Sequence, residues 1–194
     1  PDQMFRKEYW YQSSVNEAMR AELADIVEQA SDWVKPLRPS DQVIDIGAND
    51  GCLLSHYHGP LRVAFEPAQN LYAKLRPHAD VLFPDFFPPP PHHRSTLQAK
   101  IITSIAVIYD LDDPHTFIDA IRACLHPDGV WVVQFQDLAQ MIDQTAYDNI
   151  CHEHVTFLTL KNMQMLCATH GLRVISVERR AINGGSLRLY IQHQ

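Results

Sequence analysis

Two short stretches carry residue types that do chemistry. The first, Asp45-Ile46-Gly47-Ala48-Asn49-Asp50-Gly51, stands directly after a β-rich run. Its glycines let the backbone turn tightly and approach a ligand with no Cβ in the way. Nineteen residues after Gly47, Glu66 closes a second β-rich run, where a carboxylate can accept hydrogen bonds from both hydroxyls of a ribose. The spacing is GxxxG rather than the GxGxxG that seats a pyrophosphate on a helix N-terminus, and Asp50 adds negative charge beside any phosphate. A cofactor with a ribose, a cationic or zwitterionic end and no phosphate suits this loop better than a dinucleotide.

The second stretch is Tyr147-Asp148-Asn149-Ile150-Cys151-His152-Glu153-His154. Its imidazoles, with an ordinary pKa near about 6.5, can take up a proton close to neutral pH. Read as extended chain, it puts His152 and His154 on one face and Glu153 on the other, so Glu153 reaches a substrate only if the chain turns. The metal reading is poorer: HEH lacks the HExxH spacing that sets two histidines on one helical face, and no third ligand is evident. We therefore expect no metal.

The elements that must hold these stretches are legible in the apolar pattern. Runs at 42–47, 62–67, 81–83, 100–107 and 129–135 have strand length and alternate with helical or turn-rich segments, which predicts βαβ units and a parallel sheet. Ser14 and Glu17 form a capping box before an apolar stripe from Val15 to Val34 that Pro36 stops. Asp113 caps a helix with Pro114 at its first position; HPDG (126–129) ends it. Thr159 opens a last helix that Gly171 closes, and strands at 172–180 and 186–192 follow, joined through Asn183-Gly184-Gly185 and so antiparallel. The proline-rich stretch 83–95 reads as an extended surface loop, with His92 and His93 facing solvent. The expected fold is α/β and doubly wound, with seven strands, mostly parallel, and an antiparallel last strand.

Composition narrows the partners. The chain has 194 residues, a formal charge of −7 and 46% apolar residues, enough for one core. No basic stripe is present for nucleic acid or an anionic membrane, and no apolar run approaches a membrane span. Four cysteines without CxxC pairing read as free thiols of a cytoplasmic protein.

On these residues the chain resembles the class I S-adenosylmethionine-dependent methyltransferases from about residue 40 to 194. DIGANDG is similar to their first motif, Phe65-Glu66-Pro67 to their ribose-binding turn, and LHPDGVWVV to the approach to their fifth strand. The resemblance implies S-adenosylmethionine as cofactor. It would be bound by Asp45, Gly47, Asn49, Gly51, Glu66 and Pro67, by Asp85 near the adenine amine, and by Ser104 and Tyr109 around the end of the fourth strand. Carboxylates at Asp50, Glu66 and Asp85 would surround the cationic cofactor.

Tyr147–His154, the NGGSLR run at 183–188 and the N-terminal YWYQSS together resemble the branch that includes nucleotide-sugar C-methyltransferases. That branch implies a nucleotide-sugar substrate and C-methylation α to a ketone, with His154 as base, assisted by Glu153, His152 and Tyr147. Cys151 stands where such enzymes often carry a tyrosine, and Tyr147 or Tyr109 can supply the phenol. Tyr11 would touch the cofactor from an N-terminal lid. Residues 1–39 are read as an aromatic segment and helix packed on a cofactor-binding domain at 40–194. The cysteine-rich and C-terminal modules typical of the branch are not in this sequence, which reads as its central catalytic portion. O- or N-methylation of a small metabolite, and a non-catalytic binding module of the same fold, are the competing expectations.

Overall fold

The computed structural model describes residues 2–94 and 96–194; Pro1 and Ser95, the ends of the aromatic segment and of the proline-rich stretch, lie outside the described residues. Seven strands form one sheet in the order β3-β2-β1-β4-β5-β7-β6. They are β1 (Gln42–Ile46), β2 (Leu61–Phe65), β3 (Val81–Phe83), β4 (Ala99–Ile105), β5 (Leu125–Gln136), β6 (Leu172–Arg180) and β7 (Ser186–His193). β7 alone runs antiparallel, wedged between β5 and β6. The expected doubly wound sheet is what forms. Its order reverses between β1 and β4, and the crevice at the carboxyl ends of those strands is where ligands of such folds bind.

Helices cover both faces. Besides one-turn α1 (Asp2–Phe5), α3 (Tyr72–Leu75) and α4 (Pro91–Arg94), they are α2 (Glu17–Trp33), α5 (Pro114–Cys124), α6 (Leu138–Gln144) and α7 (Leu160–Thr169). α2 buries Met19, Leu23, Ile26, Val27 and Ala30 against Val43, Ile101, Val130 and Val132. On the other face Phe117, Ile118 and Ile121 of α5 and Met163 and Cys167 of α7 pack with Ile44, Ile102, Trp131 and Val133. The strand residues alternate between these two cores, as a pleated strand covered on both sides must.

Capping follows the sequence at two helices. Asp113 accepts from the His115 and Thr116 N–H groups, and Thr159 forms a capping box with Asn162. At α2 the structure differs. Asn16 is the cap, its Oδ1 accepting from Ala18 and Met19, because the Ser14 N–H is committed to Asp50 Oδ2. Val15, expected to begin the apolar stripe, is 73% exposed. The proline-rich stretch differs too: Phe87 is buried against Phe65 and Phe117 and Pro91–Arg94 is a turn of helix, so only part of it is surface loop. Burial of aromatic rings outweighs the solvation of the prolines there. His92 and His93 are exposed.

Candidate active site

A cavity of about 980 Å³ opens at the carboxyl edge of β1, β2, β4 and β5. Its first half is built by the turn after β1. Gly47 and Ala48 donate to the Phe65 carbonyl at 2.9 and 3.1 Å, with Gly47 at φ +71°. A Cβ there would lie 2.8 Å from Val107 Cγ2, so the turn needs glycine on two counts. Glu66, 5% exposed, accepts from Asn49 N at 2.7 Å through one oxygen and from Ala68 N at 2.8 Å through the other. Burial pushes its carboxyl up, and those two N–H groups pull it back. Asp45, bonded by Thr103 Oγ1 at 2.6 Å, is pushed up to about 7 by burial.

An N-terminal strap crosses this half. Gln69 N donates to Arg6 O, Tyr9 and Asn70 bond reciprocally, Asn49 receives Ser13 N on Oδ1 and gives Nδ2 to Tyr11 O, and Asp85 holds Arg6 at 2.8 Å. Phe5, Tyr9, Tyr11 and Ser13 of the strap line the cavity.

The second half is built by the turn after β4. The Tyr109 carbonyl accepts from Val155 and Thr156 N–H at 2.9 and 3.0 Å, docking the histidine-bearing segment on that turn. His154 Nδ1 lies 2.8 Å from the Asn149 carbonyl, and its ring sits 4.3 Å from that of Tyr109, centroid to centroid. A carbonyl only accepts, so Nδ1 carries a proton, and in the neutral imidazole the lone pair is on Nε2. Beside it, burial and the Glu153 charge push Asp110 up to about 8, and Asp110 Oδ1 is buried without a hydrogen-bond partner among the described residues. Burial raises the phenols of Tyr9 and Tyr109 as well, with Asp110 adding to both.

Asp45, Gly47, Asn49, Glu66, Pro67, Asp85, Tyr109, Tyr11, Glu153 and His154 thus lie on one cavity. Five sequence expectations do not. His154 N donates to Cys151 O, so the chain turns where it was read as extended; Glu153 and His154 face the cavity and His152 faces solvent. Tyr147 is 72% exposed and off the cavity, because the 3-10 turn Tyr147–Asn149 swings it outward. Ser104 is fully buried on the α5 face, where it accepts from Trp131 Nε1 at 2.9 Å. Gly51, at φ +83°, packs against His78 and Leu75, and Asp50 holds Ser14 and Cys52 N–H instead of facing the cofactor. The residues to which no role was assigned are Tyr9, Asp110 and Gln134; Tyr9 left a trace in the YWYQSS motif and Gln134 as the polar residue inside the apolar run GVWVVQF.

No helix among the described residues is long and apolar enough to cross a membrane. The family described as "Methyltransferase domain" matches residues 15–177. The C-methyltransferase NovU of Streptomyces niveus is 26% identical over 159 residues, 79% of this chain and 38% of that protein, so the chain spans well under half the length of this relative. Among solved structures, magnesium protoporphyrin IX methyltransferase from Synechocystis PCC 6803, with bound S-adenosylhomocysteine, superposes with a TM-score of 0.67 at 10% identity, covering 95% of this chain and 91% of that one. A Pyrococcus horikoshii OT3 protein gives 0.69 at 13% identity, covering 95% of each chain. Such identities speak to the fold alone. The family match shows that the chain belongs to the methyltransferase-domain family, as a class I, S-adenosylmethionine-dependent methyltransferase, and its likeness to NovU that it resembles C-methyltransferases.

Proposed function

We propose that this chain is the catalytic core of a C-methyltransferase that methylates a carbon α to a ketone, on a nucleotide-activated deoxysugar. The observation that carries the reading is His154, which stands in a cavity wall shared with Glu66 and whose Nδ1 is tied to the Asn149 carbonyl, so that the lone pair of the neutral imidazole is on Nε2. The likeness to a C-methyltransferase over 79% of the chain supports carbon as the acceptor atom.

The residues present fit the cofactor: a ribose-accepting carboxylate at the end of β2, a glycine turn that a Cβ would fill, and acidic groups for a sulfonium. When bound, S-adenosylmethionine supplies an electrophilic methyl group on a positively charged sulfur. Glu66 holds the ribose hydroxyls with the lone pairs its two N–H partners leave, and Asp85 lies at the adenine end. Residues 1–39 serve as lid and packing helix, with Tyr11 over the cofactor. His154 takes the α proton on Nε2, and Glu153 favours the imidazolium that results. Tyr109 and Tyr9, whose phenols burial raises, donate toward the enolate oxygen.

Calorimetry with S-adenosylmethionine and NAD tests the cofactor; a folded sample that fails to bind S-adenosylmethionine sinks the reading. Deuterium exchange at the α carbon of a nucleoside-diphosphate 4-keto-6-deoxyhexose tests the base. Exchange in the wild type and none in His154→Ala is the expected pair.

A further inference from the structure

The cavity has a wall that this reaction scheme does not use. β7 sets Arg188 in register opposite Gln134 of β5, on the face toward α2. Arg188 is fully buried and is held by Glu22 at 2.7 Å and Asp25 at 2.6 Å, while its Nε donates to Gln134 Oε1 at 2.8 Å. A guanidinium has donors and no acceptor, so the Gln134 carbonyl must face Arg188 and its NH2 the opposite way. Gln134 lines the cavity, which makes that NH2 a donor with a fixed aim.

Ser186 lines the cavity beside it with its Oγ donating to the Ile182 carbonyl at 3.1 Å, which leaves the hydroxyl oxygen as an acceptor. Met19, Leu23 and Ile105 supply apolar surface next to these groups. The cavity as a whole is lined by eight carboxylates, and no Lys or Arg lines it among the described residues. A phosphate here would give up its water for like charge and no cation. A ring carrying hydroxyls and C–H faces would find neutral donors, acceptors and apolar contact.

We infer that this wall is a subsite for an uncharged, hydroxyl-bearing ring, in which Arg188 aims the Gln134 amide at a ring oxygen, and that the phosphates of any activated acceptor stay outside the cavity. The inference rests on the proposed function, because the ring is then the methyl acceptor.

Saturation-transfer NMR on the protein loaded with S-adenosylhomocysteine tests it, with methyl 6-deoxyglucoside and glucose 6-phosphate as probes, the latter carrying its phosphate away from the anomeric end that an activated acceptor keeps outside. The glycoside should bind and the phosphate should bind at least about tenfold more weakly. Gln134→Glu keeps an acceptor for Arg188 but removes the NH2 donor, and should weaken the glycoside about tenfold with S-adenosylhomocysteine affinity retained. Arg188→Lys keeps a cation for Glu22 and Asp25 but frees the amide to rotate, and should show the same selective loss. Equal binding of both probes overturns the subsite. So does undiminished glycoside binding in Gln134→Glu, a parallel loss of both ligands in Arg188→Lys, or no probe binding by protein that binds S-adenosylhomocysteine. Failure of S-adenosylhomocysteine itself to bind overturns the methyltransferase reading, and this subsite with it.

Discussion

The two halves of the cavity solve opposite problems. Around β1 and β2 the polar groups are satisfied from within: Glu66 takes two backbone N–H groups, Asp45 a hydroxyl, and Asn49 the strap. Beyond β4 the protein holds Asp110 Oδ1 buried and unpartnered among the described residues, and burial raises Asp110 as it raises Asp45 in the first half, here with no hydroxyl or N–H to offset it. A buried polar group without a partner costs stability, so such groups gather where a ligand or a proton is handled. The first half is thus a finished scaffold, and the second keeps its binding capacity in reserve.

Substitutions can break this contrast. The largest effect belongs to His154→Ala, which should lower methyl transfer by about 10²–10⁴ while S-adenosylmethionine affinity stays within about threefold, read by single-turnover kinetics and calorimetry. Next is Asp110. The folded protein keeps its proton up to about pH 8, whereas the unfolded chain releases it near about pH 4, so the folded state binds more protons in that window and loses stability as pH rises through it. Asp110→Asn should recover about 2–4 kcal/mol by pH 8 and flatten the fall, measured as thermal midpoints from pH 4 to 9.

In the other half, Glu66→Ala should cost about tenfold to a hundredfold in cofactor affinity, because the ribose loses charge-assisted bonds and two N–H groups are orphaned. Gly47→Ala should destabilise by about 1–2 kcal/mol through its left-handed backbone alone, with the Val107 contact adding to it, seen in denaturant melts. Tyr147→Phe should change both rate and stability least, within about 0.5 kcal/mol, since the ring is exposed and off the cavity.

The same contrast governs what could be read from sequence. The first half is local: a glycine turn after one strand and a carboxylate after the next, so Gly47 and Glu66 announce themselves by spacing. The strands β1, β2, β4 and β5 were legible for the same reason, since each buries a short apolar run. The second half is assembled from four separated segments, and its geometry is set by tertiary bonds. The turn closed by His154 N and Cys151 O reversed the faces of His152 and Glu153, which no alternation rule could foresee. Tyr9 is delivered by a strap pinned through Asn70, more than sixty residues away. Ser104 shows the converse: it lies within β4 near its end, and the pleat turns its side chain to Trp131 on the α5 face and away from the cavity.

The place of β7 also bears on how the molecule comes into being. A strand made after β6 lies inside the sheet, and Arg188 reaches back to Glu22, 166 residues earlier. As the polypeptide leaves the ribosome, β1 to β5 can assemble with α2 and α5, but one long edge of β5 waits without a partner until residues 186–193 emerge. At about 5–20 residues per second the stretch from the end of β5 to the end of β7 takes on the order of several seconds, during which that edge is open to pairing with another nascent chain. Gln134 and Gln136, polar residues on that edge, then act as brakes on aggregation before they meet any ligand.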